Sequence, residues 1–460
     1  MNATSLVPTA VSNAFGFALR AIVVVGLSIV ILIALLSIRG VVHDRQQYRQ
    51  EAIANVAASH AGAQRVAGPV LVVPYEETEQ VRSLDADGRE RVSERRRSGR
   101  WTFFPEILEL AGKVLPATRR LGLHEVPVYE LQARLEARFA AAIPVAAPGV
   151  TREVGEPWLA YGIADVRGLA GVPQLQVGGR DVPLEQGMGA RDGGGIHARL
   201  ATPAPGTTWV LDTRLALTLA GTESLAIAPL GERNRIALES SWPHPRFDGA
   251  FLPRTRRVDA DGFQAVWEVT SLASNAQAQF LAHADVPTEH PRAVGGPVES
   301  IGISLVDPVN PYTQADRATK YGMLFVLLTF GGFFLFETVK RLPIHPIQYL
   351  LVGLALAIFF LMLLALSEHI AFGTAYLVAS AACIGLIAFY LGHVLRSRLR
   401  GLGVAAALAA LYAALYGLLV SEDNALVLGA GLLFVVLAAA MVATRKVDWY
   451  ALARERASAG

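Results

Sequence analysis

IQYLLVGLALAIFFLMLLAL, residues 347–366, is a run of twenty residues without one Asp, Glu, Lys, Arg or His. At 1.5 Å of rise per residue, a helix of about twenty such residues crosses a hydrocarbon core about 30 Å thick. Working outward, five further stretches are apolar over a comparable length: Ala21–Ile38, Tyr321–Phe336, Ile370–Leu391, Val404–Val420 and Ala425–Ala443. The shortest, Tyr321–Phe336, is bounded by Lys320 and Glu337, whose side chains are expected to snorkel to the interfaces and lengthen it. With 53% hydrophobic and 17% charged residues, the chain holds more apolar surface than soluble domains of ordinary composition bury. One spanning helix therefore precedes a long soluble stretch, and five follow it.

Short loops set the orientation. Lys340 and Arg341 follow the second span, Arg396, Arg398 and Arg400 follow the fourth, and the tail carries Arg445, Lys446, Arg454 and Arg456. The alternate loops, Ser367-Glu368-His369 and Ser421-Glu422-Asp423-Asn424, contain no Lys or Arg. This pattern puts both termini in the cytoplasm and the stretch between the first two spans outside. The first span reads as a signal anchor, because Arg39, Asp44 and Arg45 stand where a small-residue cleavage site would follow. The expected organisation is a cytoplasmic tail with its signal-anchor helix (1–39), an exterior β-rich domain (40–320), a five-helix bundle (321–443) and a basic cytoplasmic tail (444–460).

The exterior stretch alternates with period two. From Tyr129 to Phe139 the odd positions are Tyr, Leu, Ala, Leu, Ala and Phe, and the even ones Glu, Gln, Arg, Glu and Arg, which predicts a half-buried strand. The pattern returns over Trp209–Leu219 and Phe263–Val269, while Leu225–Leu230 and Arg235–Ser240 flank Gly231-Glu232-Arg233-Asn234 as a hairpin would. Antiparallel sheets packed as a sandwich are the expected fold. Asp44–Ala63, rich in Gln, Ala and Glu, is predicted to carry the first helix beyond the membrane.

Chemistry is harder to find. The formal charge of +2 gives no field to attract nucleic acid, and the single cysteine, Cys383, excludes an intramolecular disulfide or a thiolate metal cluster. GxxxxGK[ST], GxSxG and HExxH do not occur, so no catalytic residue, cofactor site or metal site is assigned. Arg91–Arg100 is expected to be a solvated hairpin following the turn Asp85-Ala86-Asp87-Gly88. Two groups remain as candidate partner or ligand surface. Trp242, His244, Arg246 and Phe247 are held by Pro243 and Pro245, and Glu368, His369, Glu422 and Asp423 emerge on one side of the membrane. Small residues four apart, Ala371, Ala375, Ala379 and Cys383 on one span and Ala409, Ala413 and Gly417 on the next, predict close helix packing.

Several segments together resemble the CreD family of bacterial inner-membrane proteins. They are RVAGPVLVVPY (Arg65–Tyr75), GGGIHARL (Gly193–Leu200), SSWPHPRFDGAFLP (Ser240–Pro253), GFQAVWEV (Gly262–Val269), SLVDPVNPYTQADRATKYG (Ser304–Gly322), HPIQYLLVGLAL (His345–Leu356), SEHIAF (Ser367–Phe372) and TRKVDWY (Thr444–Tyr450). The resemblance implies a six-span inner-membrane protein with a periplasmic domain, in a regulon governed by a sensor kinase and response regulator, and associated with envelope integrity, stress response and colicin tolerance. It brings no catalytic residues. The functional expectation is a non-enzymatic protein set in the lipid bilayer, whose periplasmic domain binds a protein, lipid or glycan of the envelope and not nucleic acid. The alternatives are an envelope-modifying enzyme with its site at the junction of β domain and bundle, or a lipid transporter subunit.

Overall fold

The computed structural model describes residues 10–84, 90–189, 194–284, 298–305, 311–340, 345–394, 398–421 and 425–445. The chain divides into two compact units, residues 49–308 and residues 1–48 with 309–460. Helix α1 (Ala10–Ser59) contributes its first part to the second of these and its last turns to the first.

The β unit begins with β1 (Gln64–Leu84), β2 (Glu90–Phe103), β3 (Ile107–Leu121), β4 (His124–Ala142), β5 (Val150–Val154), β6 (Trp158–Ile163), β7 (Leu169–Val177), β8 (Arg180–Val182) and β9 (Glu185–Gln186). It continues through β10 (Gly195–Arg199), β11 (Thr208–Thr222), β12 (Ser224–Ala228), β13 (Arg233–Ser240), β14 (Pro245–Gly249), β15 (Thr255–Asp259), β16 (Gly262–Thr270), helix α2 (Ala276–Ala284) and β17 (Ile301–Leu305). One sheet runs β14-β17-β12-β1-β6-β10-β9, with β2 and β5 also paired to β1; the other runs β15-β16-β13-β3-β4-β11-β7-β8. Two pairs, β1 with β12 and β3 with β13, are parallel, so the sheets are mixed and not purely antiparallel.

The predicted strand at Tyr129–Phe139 lies inside β4, and its odd residues Tyr129, Leu131, Leu135 and Phe139 are buried. They meet Leu71 of β1 and Leu159 and Tyr161 of β6 in one core shared by both sheets. Each fully buried Leu or Phe side chain contributes about 1.5–3 kcal/mol through area removed from water. Trp267 of β16 is wholly buried, and its indole N–H donates to the Phe251 carbonyl at 3.1 Å, which satisfies its one polar group.

The expected hairpin over Leu225–Ser240 does not form. β12 pairs in the first sheet and β13 in the second, so the chain between them changes sheets. Asn234 explains the crossing: its amide bonds Gly231 N at 2.7 Å, Gly231 O at 2.7 Å and Val269 O at 2.9 Å, which ties the turn to β16 instead of to β12. The arginine run lies on β2, paired with β1 in register from Leu71↔Phe103 to Leu84↔Glu90, and Glu94–Ser98 are exposed. Its anticipated turn at residues 85–88 lies outside the described residues.

A small polar knot closes the β unit around the end of α1. Arg167 caps that helix by donating to the Ala58 carbonyl at 2.6 Å, and Asp165 steers Arg167 through Oδ1 at 2.9 Å and Oδ2 at 2.6 Å. The Arg167 guanidinium, with added bonds from the Gly62 and Arg167 backbone N–H groups, holds the Asp165 carboxyl at about 2. Gln64, 2% exposed, donates to Asp165 O at 2.9 Å and Ala220 O at 2.8 Å and accepts from Asp165 N at 3.2 Å.

The other unit is helical: the first part of α1, then α3 (Pro311–Lys340), α4 (Pro346–Ser367), α5 (Phe372–Val394), α6 (Arg398–Val420) and α7 (Ala425–Thr444). All six helices are apolar, and five are long enough to cross a membrane by length and composition. Pro346 starts α4, where His345 and Gln348 complete a reciprocal cap. The span predicted at Tyr321–Phe336 is part of a 30-residue helix, so it needs no lengthening by snorkelling. Glu337 corrects the expectation further. Its carboxylate is buried and accepts from the Tyr349 hydroxyl at 2.7 Å, because a partner one helix away replaces the interface as its source of polarity.

Of the predicted ridge, Ala375, Ala379 and Cys383 of α5 are buried, whereas Ala371 precedes the helix and is exposed. Ala409, Ala413 and Gly417 of α6 instead face away from the bundle, and the buried face carries Leu408, Tyr412, Leu415 and Leu419. Tyr412 decides this rotation. Its ring sits edge-on to Phe359 and Phe325, both at 4.6 Å, and its hydroxyl donates to Cys383 Sγ at 3.2 Å, so the inward position is filled by an aromatic ring and not by a small-residue ridge.

Candidate functional site

Trp242, His244, Arg246 and Phe247 connect β13 of the second sheet to β14, an edge strand of the first. The Trp242 indole donates to the His244 carbonyl at 3.1 Å, and Arg246 pairs with Asp248 at 2.7 Å. Phe247 turns inward, edge-on to Trp267 at 5.7 Å and to Phe263 at 5.8 Å. Pro245 begins the edge strand, where a missing N–H costs no ladder bond. The Trp242 indole and the Arg246 guanidinium are thus bonded within the segment, and its aromatic anchor, Phe247, belongs to the core.

Glu368 ends α4 with its side chain only 8% exposed. Its Oε1 lies 3.4 Å from Arg45 Nε of α1 and accepts from the Tyr312 hydroxyl of α3 at 3.4 Å. A second ion-paired group, Arg39 and Lys320 on Asp316 at 2.9 and 2.7 Å, repeats the arrangement on the same two helices. Glu368 thus joins three helices instead of presenting an open carboxylate, and His369 beside it is exposed. Glu422 and Asp423 lie outside the described residues.

His197 is buried, with Nδ1 3.1 Å from Gly187 O and Nε2 3.5 Å from Glu185, and Arg199 two residues on pairs with Glu156 at 2.9 Å. These contacts clasp β9 to β10 at a sheet edge. Among the described residues, no group of three or more His, Cys, Asp or Glu stands close enough to hold a metal ion.

The larger feature is a hollow of about 890 Å³ on the solvent face of the second sheet. Strand register builds it from two rungs across six strands. One reads Gln174–Ala216–Arg134–Ala111–Ala237–Val266, and the next Ala170–Thr218–Gln132–Lys113–Glu239–Gln264. Alanines form the floor, so the backbone surface is low there, and a bulge in β7 between its pairings to Ala216 and Thr218 curves the sheet. Val172, 89% exposed, stands on that rim.

The rung alongside, Gln176–Arg214–Glu136–Glu109–Arg235–Glu268, holds two ion pairs, Arg214 with Glu136 at 2.8 Å and Arg235 with Glu268 at 2.9 Å, on either side of Glu109. Within the hollow, Lys113 and Arg134 have neither an ion pair nor a hydrogen bond among the described residues. Alternation in sequence placed Gln132 and Arg134 on the solvent side of β4. Nothing in the sequence aligned them with Lys113, Thr218 or Gln264, because register between strands far apart in the chain is set by folding.

A sequence model of the family described as Inner membrane protein CreD matches residues 16–450. The Escherichia coli (strain K12) protein of that description is 35% identical over 432 residues, covering 93% of this chain and 92% of the relative. Among solved structures, an M1 zinc metallopeptidase from Deinococcus radiodurans aligns over 44% of this chain and 42% of its own at 12% identity, with a TM-score of 0.20. Leukotriene A4 hydrolase from Saccharomyces cerevisiae aligns over 53% of this chain and 36% of its own at 8% identity, with a TM-score of 0.22. Values this low carry no inference about fold or activity. The family match, by contrast, runs through both the β unit and the helical bundle and includes every segment that first suggested it; the chain belongs to the CreD family of inner membrane proteins.

Proposed function

We propose that this chain is a non-enzymatic envelope-integrity protein whose β unit faces the periplasm and docks an envelope partner on the hollow face of its second sheet, with the helical bundle as anchor. The observation that carries the reading is the hollow itself: a low alanine floor open across six strands, bordered by the ion pairs Arg214–Glu136 and Arg235–Glu268. Such a surface suits docking of an extended partner. An enzyme would concentrate convergent titratable groups in a cleft. The periplasmic placement follows from the basic loops at one end of the bundle and the acidic ones at the other.

The test fills the hollow. Trp at Ala111 and Ala237, neighbours across β3 and β13, occupies the floor while keeping strand propensity. In a deletion strain under envelope stress, Ala111→Trp/Ala237→Trp should fail to complement at unchanged membrane abundance, while Leu272→Trp, at a site 98% exposed and away from the hollow, should complement fully. Full complementation by the filled variant would remove the docking reading.

A further inference from the structure

We propose that the hollow of the second sheet binds an anionic glycan, with Lys113 and Arg134 as the anion-binding pair. The inference rests on the docking reading above and adds the chemistry of the occupant. On this face several arginines are ion-paired: Arg138 with Asp212, Arg214 with Glu136, and both Arg235 and Arg254 with Glu268. Among the described residues, Lys113 and Arg134 are not. They occupy adjacent strands on neighbouring rungs, Ala111↔Arg134 and Lys113↔Gln132, at the centre of the hollow with two strands on one side and two on the other. Glu239, the rung neighbour of Lys113 on β13, is the lone carboxylate among the hollow's lining residues against two cations, so the lining keeps a net positive formal charge centred on Arg134.

What surrounds the cations selects among anions. Gln132, Gln174, Gln264 and Thr218 each offer both a donor and an acceptor, the complement that sugar hydroxyls require. The hollow's lining contains no aromatic side chain of the kind in which protein-interface hot spots are enriched. It also has no deep apolar wall to receive an acyl chain, since its floor is alanine. Across six strands at about 4.8 Å spacing the hollow extends about 24 Å, room for a short oligosaccharide lying over the strands. A carboxylate on a uronic acid and a phosphate substituent satisfy the same pair, Arg134 as a planar fork and Lys113 as a point charge.

The experiment uses the full chain in nanodiscs of zwitterionic lipid and titrates four probes calorimetrically: hexagalacturonate, a phosphorylated pentamannose, neutral maltohexaose and a hexaglutamate peptide. Binding of either anionic sugar, with maltohexaose at least tenfold weaker, is expected, the stronger anion identifying the source. Lys113→Gln/Arg134→Gln should weaken that binding by about tenfold or more, the scale of losing charge-assisted hydrogen bonds. Arg235→Gln, which removes a cation from the paired rung, should leave it within about twofold, and unchanged melting of both variants excludes misfolding. Wild-type protein that binds neither anionic sugar, a double variant that binds like wild type, or tighter binding of hexaglutamate than of either sugar overturns the glycan assignment. If the filled Ala111→Trp/Ala237→Trp variant still fails to complement in that case, docking stands and only the occupant is wrong. If it complements, the docking reading has failed as well.

Discussion

Replacing Gln64 by Leu keeps the side-chain volume close and removes three hydrogen bonds at a site 2% exposed. Those bonds run to the Asp165 N–H at 3.2 Å, the Asp165 carbonyl at 2.9 Å and the Ala220 carbonyl at 2.8 Å, so one amide joins β1, the turn before β7 and β11. The Asp165 carbonyl retains a bond from Gly168 N at 3.1 Å, which leaves the Asp165 N–H as the principal orphan and Ala220 O as a weakened acceptor. Water has little room to replace the amide, because even a Cβ built on Gly168 would collide with Ala220 O and Gln64 Nε2. A buried group left unpaired costs about 1–3 kcal/mol, so one full orphan and one partial one give about 3 kcal/mol. With a guanidinium slope near 5 kcal/mol/M for a unit of this size, the unfolding midpoint should fall by about 0.6 M. Tryptophan fluorescence in detergent is a selective assay, since Trp101, Trp158, Trp209, Trp242 and Trp267 all lie in the β unit and the sixth, Trp449, in the tail. A midpoint within 0.1 M of wild type would refute the claim that this amide braces the unit.

Asp165→Asn tests the neighbouring clamp. Arg167 lowers the folded Asp165 from 3.8 to about 2, so the carboxylate's contribution is complete above pH 4 and is lost only as pH falls from there through 2. The shift corresponds to about 2.4 kcal/mol, reduced to about 1–2 because Arg167 is largely exposed, and the difference from wild type should stay constant from pH 8 to pH 5. A gap that narrows by pH 5 would assign the stabilisation elsewhere. Glu337→Ala strands the Tyr349 hydroxyl and should cost about 1–3 kcal/mol, seen as a lower melting temperature in detergent, whereas Glu337→Gln keeps an acceptor and should recover most of it; equal losses in both would show that charge, not the bond, matters there. Orientation is read by cysteine labelling over the low background of buried Cys383. Val172→Cys, at a site 89% exposed, should react with an impermeant maleimide in intact spheroplasts, and Leu399→Cys, at one 82% exposed, only after permeabilisation. The reverse pattern would invert the topology.

Periodicity made much of the architecture legible, and where it misled, a partner distant in sequence was responsible. The alternation at Tyr129–Phe139 is intrinsic to one strand and to the face it buries, so it survived into β4. Leu225–Ser240 carries an equally good local pattern, yet Asn234 bonds to Val269, 35 residues away, and the expected hairpin becomes a crossing between sheets. On α6 the small-residue spacing was real, but Tyr412 competed for the inward position and won by filling more volume beside Phe325 and Phe359.

The same logic explains why the candidate site was invisible. Trp242–Phe247 and Glu368 attract notice as unusual local sequence, and they lie at a sheet connection and at a three-helix junction. The hollow is assembled from unremarkable residues, a Lys, an Arg, three Gln and several Ala, taken two at a time from six strands between residues 111 and 266. No one strand shows that Lys113 and Arg134 fall on adjacent strands one rung apart, because their juxtaposition is a property of register. Composition misses it too: a formal charge of +2 for the chain does not show that Lys113 and Arg134 share one hollow with a single carboxylate, Glu239. Recognition in this fold therefore falls to the sheet's cross-strand order, where a shift of one residue would carry Lys113 and Arg134 to the core face and abolish both the site and the fold.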